Sequence, residues 1–192
     1  DNFREPLNEF LKKYALSIDQ HKELLNYCKD VGITYLCTPF SYKAACELKE
    51  ICVNSFKIGS GEMTDIASLK AISALGNSMI ISTGMSTLDE VKRTYLAMKD
   101  WGVPFAFTHC VSEYPPNYED MNLRVIKTLM AEFPDIVIGH SDHTPDNFTS
   151  FAAVALGAKI IEKHVILDKN IPGPDQSVSI DMDDLANLVE GI

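Results

Sequence analysis

The stretch Asp135-Ile-Val-Ile-Gly-His-Ser-Asp-His143 decides the fold of this chain. Its apolar first part, residues 135–138, is typical of a strand buried on both faces, and a polar cluster follows directly. The next such run, Lys159-Ile-Ile-Glu-Lys-His164, also ends in polar residues. Towards the N-terminus, similar apolar runs recur at residues 104–107, 78–81, 55–58 and 33–37. The sequence therefore predicts six short parallel strands.

Amphipathic segments between these strands predict helices. Segment 17–31 opens with a capping-box pattern, Ser17 with Gln20, and stops at Gly32. Further helices are predicted at 42–50, 65–75, 86–101, 123–133, 147–156 and 181–189. For the residues before Ser17 we predict a loop. Strands and helices alternate as βα units without a linker or a break in composition, so we predict a single domain over residues 1–192.

Two α/β architectures use such units: the doubly wound open sheet and the (β/α)8 TIM barrel. An open sheet gathers its site at one switch point, whereas a barrel collects side chains from the carboxyl ends of many strands. Polar residues end every predicted strand, among them Thr38, Ser60, Glu62, Ser82, Ser112, Ser141, His143 and His164. This pattern favours an incomplete TIM barrel of about six βα units. Because six strands cannot close an eight-stranded barrel, we expect that the first two strands are missing from this stretch.

The composition excludes several classes of function. The 192 residues carry 17 basic and 27 acidic side chains, a net charge of −10, which argues against nucleic acid or an anionic membrane as partner. No apolar stretch approaches the roughly 18 residues needed to cross a bilayer, and the first residues lack the order of a signal peptide. The five cysteines form no CxxC pair, so we expect reduced thiols and a cytoplasmic location.

Two histidines at neighbouring strand ends are candidate metal ligands. His143 follows one strand and His164 closes the next, so both can reach one point above a barrel. Two imidazoles with carboxylates nearby suit Mn²⁺, Fe²⁺, Co²⁺ or Zn²⁺. A hydrogen-bonded core histidine explains either residue equally well, and it is the interpretation we adopt for His109 and His140.

Lys57 lies inside an apolar strand, where an unpaired charge is unfavourable. It therefore requires a partner, either Glu62 or a bound anion, and lysine binds phosphate and carboxylate well. Gly59, Gly61 and Gly84 lie at strand ends, where a ligand can approach the backbone closely, although turn geometry alone explains them equally well. If a ligand does approach, Ser60 and Ser82 could donate to its oxygens. The residues alone predict a metal-assisted barrel enzyme acting on a small anionic, oxygenated substrate, without naming the reaction.

A set of motifs carries a more specific resemblance. They are Thr38-Pro-Phe40, Phe56-Lys-Ile-Gly-Ser-Gly-Glu62, Ile81-Ser-Thr-Gly-Met85, Tyr114-Pro, Asn122-Leu-Arg124, Gly139-His-Ser-Asp-His-Thr144, Ala152-Ala-Val-Ala-Leu-Gly-Ala158, Ile161-Glu-Lys-His164 and Pro172-Gly-Pro-Asp175. In this order, and over nearly all of the chain from Ile33 onward, they resemble the sialic acid synthase family. Each motif alone is a weak signal, and the specificity lies in the set.

The resemblance implies a (β/α)8 barrel transferase that condenses phosphoenolpyruvate with N-acetylmannosamine or a related amino-sugar aldehyde. Carbon C3 of phosphoenolpyruvate attacks the aldehyde, water adds at C2, and phosphate leaves by C–O cleavage. A divalent metal, usually Mn²⁺ with Mg²⁺ or Co²⁺ as alternatives, would be held by His143 and His164 as a Lewis acid and template. The aldehyde stays open among N-acetylmannosamine, its 6-phosphate and the diacetamido precursors of legionaminic and pseudaminic acids.

The resemblance also implies roles for individual residues. Glu62, Lys57 and His164 match catalytic positions. The residues that match substrate-binding positions are Thr38, Lys57, Ser60, Ser82 and Ser141 for phosphoenolpyruvate, and Ser112, Tyr114 and Asp175 for the amino sugar. Some members have asparagine in place of Ser112.

Two features of the family are expected to lie outside this stretch. One is an early glutamate on the first two strands, a candidate base for the water. The other is a C-terminal antifreeze-like domain that reaches the partner's sugar site in a homodimer. We therefore expect the stretch to be inactive alone. Two alternatives stay open: a metal-dependent aldolase or hydrolase on the same barrel, and an inactive barrel fragment that serves as an interaction module.

Overall fold

The structure, a computed structural model, describes residues 6–171 and 173–192. Its α-helices are α1 (Leu7–Tyr14), α2 (Ile18–Val31), α3 (Tyr42–Glu50), α4 (Ile66–Ser73), α5 (Leu88–Trp101), α6 (Val125–Glu132), α7 (Phe148–Ala155) and α8 (Met182–Gly191). Its strands are β1 (Ser55–Ile58), β2 (Ser78–Ser82), β3 (Phe105–Cys110), β4 (Val137–Asp142) and β5 (Ile161–Lys163). None of the described helices combines the length and apolarity that a bilayer-spanning segment needs.

The order of the strands follows the order of the sequence. They form one sheet in the order β1-β2-β3-β4-β5, with a helix between each strand and the next. The β3–β4 and β4–β5 pairs are parallel. Neighbouring parallel strands joined by helices are the repeat of a (β/α)8 barrel, so the predicted α/β class with an incomplete set of βα units is confirmed.

Two local expectations were wrong. The predicted strand at 33–37 is only an isolated bridge between Cys37 and Phe56, closed by the Lys57 N–H donating to the Cys37 carbonyl at 2.9 Å. Ile33 stays 62% exposed, so this segment lacks the burial on both faces that its apolar residues suggested. The predicted loop before Ser17 contains α1, because its apolar residues recur at helical spacing.

The predicted helix boundaries agree closely with the structure where a cap fixes them. Ser17 accepts from the Gln20 N–H at 3.3 Å while the Ser17 N–H donates to the Gln20 side chain at 2.8 Å, which completes the predicted capping box. Gly32 ends α2 in the left-handed region at φ 79°, as expected of a C-terminal glycine. By contrast, α5 begins at Leu88, two residues after the predicted start at Ser86.

The chain divides into two compact units, and the prediction of a single domain stays a prediction. The first unit comprises residues 1–80 and 89–104. Its buried side chains include Leu48, Phe56, Ile58, Met63, Leu69 and Met98. A buried asparagine ties its segments together, since Asn77 donates to the Val53 carbonyl at 2.6 Å and accepts from Lys49 at 2.7 Å.

The second unit comprises residues 81–88 and 105–192 and contains the β3–β4–β5 ladder. Its core includes Phe107, Ile126, Phe133, Ile138, Val178 and Ile180. Gly139 lets β4 approach the segment before β5. A Cβ placed on Gly139 would lie 2.6 Å from both the Cβ and the carbonyl oxygen of Ile160. A larger residue at position 139 would therefore push the two strands apart.

The replacement Gly139→Ala is expected to destabilise the chain by about 1–3 kcal/mol, because the methyl group overpacks against backbone that cannot move freely. Val137→Ala is the matched control on the same strand: Val137 is exposed, so its loss should change stability by less than about 0.5 kcal/mol. Urea unfolding measures both. Equal stability of G139A and the unchanged chain would contradict the close approach.

Candidate active site

Four of the side chains singled out in the sequence meet in the second unit. Tyr114, His143, His164 and Asp175 form what we call the imidazole cluster. The ring centroids of His143 and His164 are 5.2 Å apart, and the Tyr114 ring lies 4.2 Å from His143 and 5.7 Å from His164. The structure therefore brings the rings of the two histidines together, and their role stays a prediction.

The hydrogen bonds of His143 fix its tautomer. Its Nδ1 lies 2.8 Å from the Val111 carbonyl oxygen, which can only accept, so Nδ1 carries the ring proton. Nε2 then keeps its lone pair and accepts from the Tyr114 hydroxyl at 3.2 Å. His143 is only 5% exposed, so this orientation is held inside the protein. The ring presents Nε2 to the cluster.

Both imidazoles of the cluster favour the neutral form, although only His143 is buried and the His164 side chain is 32% exposed. Desolvation lowers the pKa of His143 and of His164 below the ordinary value of a histidine. The Asp175 carboxylate, 3.8 Å from Nδ1 of His164, opposes this shift without reversing it. Burial also raises the pKa of Tyr114 to about 12, so its hydroxyl stays protonated and available as a donor.

The two imidazoles of the cluster supply part of the ligand set that a divalent metal ion needs. Neutral imidazole is the form of histidine that binds metals, and a ring whose other nitrogen donates to a carbonyl is oriented for coordination. His143 and His164 could supply two ligands, which leaves the other positions to water or substrate. Among the described residues no group of three or more His, Cys, Asp and Glu side chains has the geometry of a metal site. The metal site therefore stays a prediction.

Three predicted serines also lie in the second unit. Ser141 is buried in β4, in register with Glu162 of β5. Ser82 is buried at the end of β2 and shares a hydrogen bond of 2.9 Å with the Thr108 hydroxyl. Ser112 is half-buried after β3. Ser82 ends a strand and Ser112 follows one, as the sequence predicted, whereas Ser141 lies inside β4 because that strand continues to Asp142.

The remaining predicted residues belong to the first unit: Thr38, Lys57, Ser60 and Glu62. Lys57 is only 7% exposed, and its Nζ donates to the Ile58 carbonyl at 3.1 Å. Gly59 leaves room for the Glu62 carboxylate, because a Cβ there would lie 2.5 Å from Oε2 of Glu62. Both predicted partners of Lys57, Glu62 and a bound anion, stay predictions.

One predicted motif is only partly described. The turn Pro172-Gly-Pro-Asp175 contains Pro172, which lies outside the described residues. Its acid, Asp175, is described and belongs to the imidazole cluster. Gly173 accommodates the Gln176 side chain, whose Nε2 would lie 2.4 Å from a Cβ at position 173.

Sequence reasoning missed a buried polar layer on the opposite face of β4. Asp142 is fully buried and pairs with Lys163 at 3.1 Å. His140 and His109, which the sequence assigned to the core, stack at 5.5 Å. The alternation of side chains along β5 placed Lys163 opposite His164, but only the register of β4 and β5 shows which carboxylate meets it.

Comparison with known proteins identifies the family of the chain. A family model described as the NeuB family matches residues 1–192. The chain belongs to the NeuB family. Its NeuB relatives include the N-acetylneuraminate-9-phosphate synthase of Mus musculus, 40% identical over 96% of this chain and 51% of the relative. The N,N'-diacetyllegionaminic acid synthase of Campylobacter jejuni is 38% identical over 94% of this chain and 54% of the relative.

A solved NeuB relative has the same fold. The crystal structure of the N-acetylneuraminic acid synthetase from Leptospira borgpetersenii, in complex with citrate, superposes with a TM-score of 0.92. It is 34% identical, and the match covers 95% of this chain and 64% of that chain. The chain thus spans about half the length of the curated NeuB relatives it matches.

The buried His140 makes the stability of the second unit depend on pH. Desolvation lowers its pKa to about 4, so below pH 6.5 the unfolded chain takes up a proton that the folded chain refuses. Stability is fully present above pH 6.5 and falls towards pH 4, where this residue accounts for about 3 kcal/mol of the loss. The substitution His140→Asn should remove this contribution of His140 to the loss of stability at low pH. The amide of asparagine can replace the Nδ1–H bond to the His109 carbonyl.

Urea unfolding at pH 7 and pH 4.5 measures this effect in both proteins. H140N is expected to lose about 2–3 kcal/mol less than the unchanged chain between the two values of pH. The measurement at pH 7 serves as the baseline for the packing cost of the substitution. An identical loss in both proteins would show that His140 titrates normally.

Proposed function

We propose that the protein is a nonulosonic acid synthase that condenses phosphoenolpyruvate with an amino-sugar aldehyde and releases phosphate. The observation that carries the proposal is the imidazole cluster at the ends of β4 and β5 in a chain of the NeuB family. Relatives named for N-acetylneuraminate 9-phosphate and for diacetyllegionaminic acid support the class of product. They leave the aldehyde open among N-acetylmannosamine, its 6-phosphate and a diacetamido sugar.

Recognition of phosphoenolpyruvate falls to Lys57 and to hydroxyl groups. Lys57 is a buried point charge suited to a phosphate or carboxylate. Hydroxyl groups that can donate to anion oxygens are carried by Thr38 and Ser60 in the first unit and by Ser82 and Ser141 in the second. A local cation is needed because the net charge of −10 repels an anionic substrate.

The imidazole cluster would receive the amino sugar. His143 and His164 would hold the divalent metal, proposed to be Mn²⁺, which when bound supplies a Lewis acid for the aldehyde oxygen. Ser112 can donate to hydroxyl or acetamido oxygens, and Asp175 can accept from the sugar. The Tyr114 hydroxyl, protonated across the physiological range, could donate to the sugar in place of its bond to Nε2 of His143. These groups fix the aldehyde carbon for attack by C3 of phosphoenolpyruvate.

The second half of the reaction releases phosphate. After the new C–C bond forms, water adds to the electron-poor C2 and gives up a proton, and the tetrahedral carbon expels phosphate with cleavage of the C–O bond. The resemblance to sialic acid synthases supports Glu62, half-buried beside Gly59, as the group that holds or moves a proton in this step. The overall balance is phosphoenolpyruvate, aldehyde and water giving a 2-keto sugar acid and phosphate.

Two further parts of the proposal concern the whole protein. All five cysteines are free thiols: Cys28, Cys37, Cys46, Cys52 and Cys110. This supports a reducing compartment such as the cytoplasm as the location of the protein. The resemblance to sialic acid synthases supports a homodimer. Small molecules, rather than nucleic acid or a membrane, are the proposed partners.

Release of inorganic phosphate tests the activity in the protein at its natural length. With Mn²⁺ and phosphoenolpyruvate, we expect release to require one of the three aldehydes and to stop on addition of EDTA. His143→Ala should lower the rate by more than about 100-fold, since a Lewis acid stabilises the transition state by several kcal/mol. His21→Ala is the matched control, because it also removes an imidazole, one that lies in α2, bonds to the Tyr35 hydroxyl at 2.7 Å and has no proposed role in the reaction.

The same assay separates the alternatives. A metal-dependent aldolase or hydrolase would act without phosphoenolpyruvate. Absence of phosphate release with all three aldehydes, from folded protein that binds metal, would overturn the synthase proposal. Full activity of H143A would show that the imidazole cluster takes no part in the reaction.

A further inference from the structure

A buried ion pair lies directly behind the imidazole cluster. Lys163 Nζ is 3.1 Å from Oδ2 of Asp142, and the two side chains are 3% and 0% exposed. Lys163 also donates to the carbonyl oxygen of Thr144 and, at 3.3 Å, to its hydroxyl. The pair therefore joins the end of β4, the end of β5 and the turn that follows β4.

Every acceptor site of the Asp142 carboxylate is used. Oδ1 accepts from the N–H and the hydroxyl of Thr144, both at 2.8 Å. Oδ2 accepts from the hydroxyls of Thr149 and Ser150, both at 2.6 Å, in addition to Lys163. Thr149 and Ser150 belong to the first turn of α7, so the carboxylate also anchors that helix to the sheet.

The register of the strands relates this pair to the two histidines. Asp142 and Lys163 face each other across the parallel β4–β5 ladder. His143 follows Asp142 and His164 follows Lys163, and successive side chains of a strand point to opposite faces. The ion pair thus closes the strand ends on one face, while the two imidazoles meet on the other at a centroid distance of 5.2 Å.

An ion pair at this depth requires an explanation. Both charges lose their hydration, and an apolar pair of similar volume is often as stable. The pair does, however, oppose any slip of β5 along β4, and a slip by one residue would turn His164 away from His143. Its benefit lies in geometry, because a metal site needs its ligands preoriented by neighbouring hydrogen bonds.

We propose that Asp142 and Lys163 are positioning residues that set the spacing and orientation of the His143 and His164 rings for a divalent cation. This inference rests on the proposed metal-dependent function, and it assigns a role to two residues that need not touch substrate. Thr149 and Ser150 take part through the carboxylate they bond. Loss of the pair should loosen metal binding even where the fold survives.

The test is Co²⁺ binding by the protein at its natural length, followed through the ligand-field absorption bands. Lys163→Met, which keeps the length of the side chain, and Asp142→Asn should each bind Co²⁺ about 10- to 100-fold more weakly, with altered band positions. The double variant should bind no more weakly than the weaker single variant, because the two residues act as one unit. Circular dichroism confirms the folded state of each protein.

Two further sets of variants separate positioning from stability. Ile138→Ala removes a buried side chain from β4 away from the ion pair, so it destabilises the strand but should leave Co²⁺ affinity and bands unchanged. Thr149→Val removes one hydroxyl from the Asp142 carboxylate, and Thr149→Ser restores it. We expect weaker Co²⁺ binding for T149V and recovery in T149S, a measurement that remains available if D142N does not fold.

The outcomes distinguish this inference from the proposed function. If the wild-type protein binds Co²⁺ and K163M and T149V bind it equally tightly, the positioning role is overturned and the synthase proposal stays intact. If I138A weakens Co²⁺ binding as much as K163M does, the positioning role is also overturned, since the loss of Co²⁺ affinity would then follow the loss of stability. Unchanged protein that fails to bind Co²⁺ would overturn both the positioning role and the metal site.

Discussion

The second compact unit depends on the alternation of side chains along its parallel strands. In β4, one face carries Ser141 and leads to His143, while the other carries Asp142. Pairing with β5 in a single register then assembles two layers, the imidazoles on one face and the ion pair with Lys163 on the other. One register therefore fixes the positions of both layers.

Burial gives these polar groups their chemical character. Desolvation lowers the pKa of both cluster histidines and keeps them neutral, whereas the charge of Lys163 and hydroxyl donors keep Asp142 ionised by outweighing the effect of burial on its pKa. A neutral imidazole can bind a metal, and a fully bonded carboxylate can hold a strand end in place. The same low-dielectric surroundings thus produce a candidate ligand pair and its support.

Local signals in the sequence were most accurate where one residue type has one strong structural preference. The capping box at Ser17 and the glycine after α2 set the ends of that helix, because both satisfy backbone groups that helix ends leave unbonded. Residues 33–37 show the opposite case. Their apolar composition is that of a buried strand, but pairing is limited to the bridge at Cys37, since strand formation depends on neighbours that are distant in sequence.

The sequence by itself determined the α/β class and the polar strand ends. Through its motifs it also determined the family and the choice of His143, His164 and Lys57 as candidate site residues. These follow from local periodicity and from residue identity, which need no knowledge of neighbours. Only the tertiary structure decided that Nδ1 of His143 bonds to the Val111 carbonyl and that Lys163 meets Asp142. Both depend on strand register and burial, because a hydrogen bond or an ion pair forms between groups that the fold, not the spacing in the chain, brings within reach.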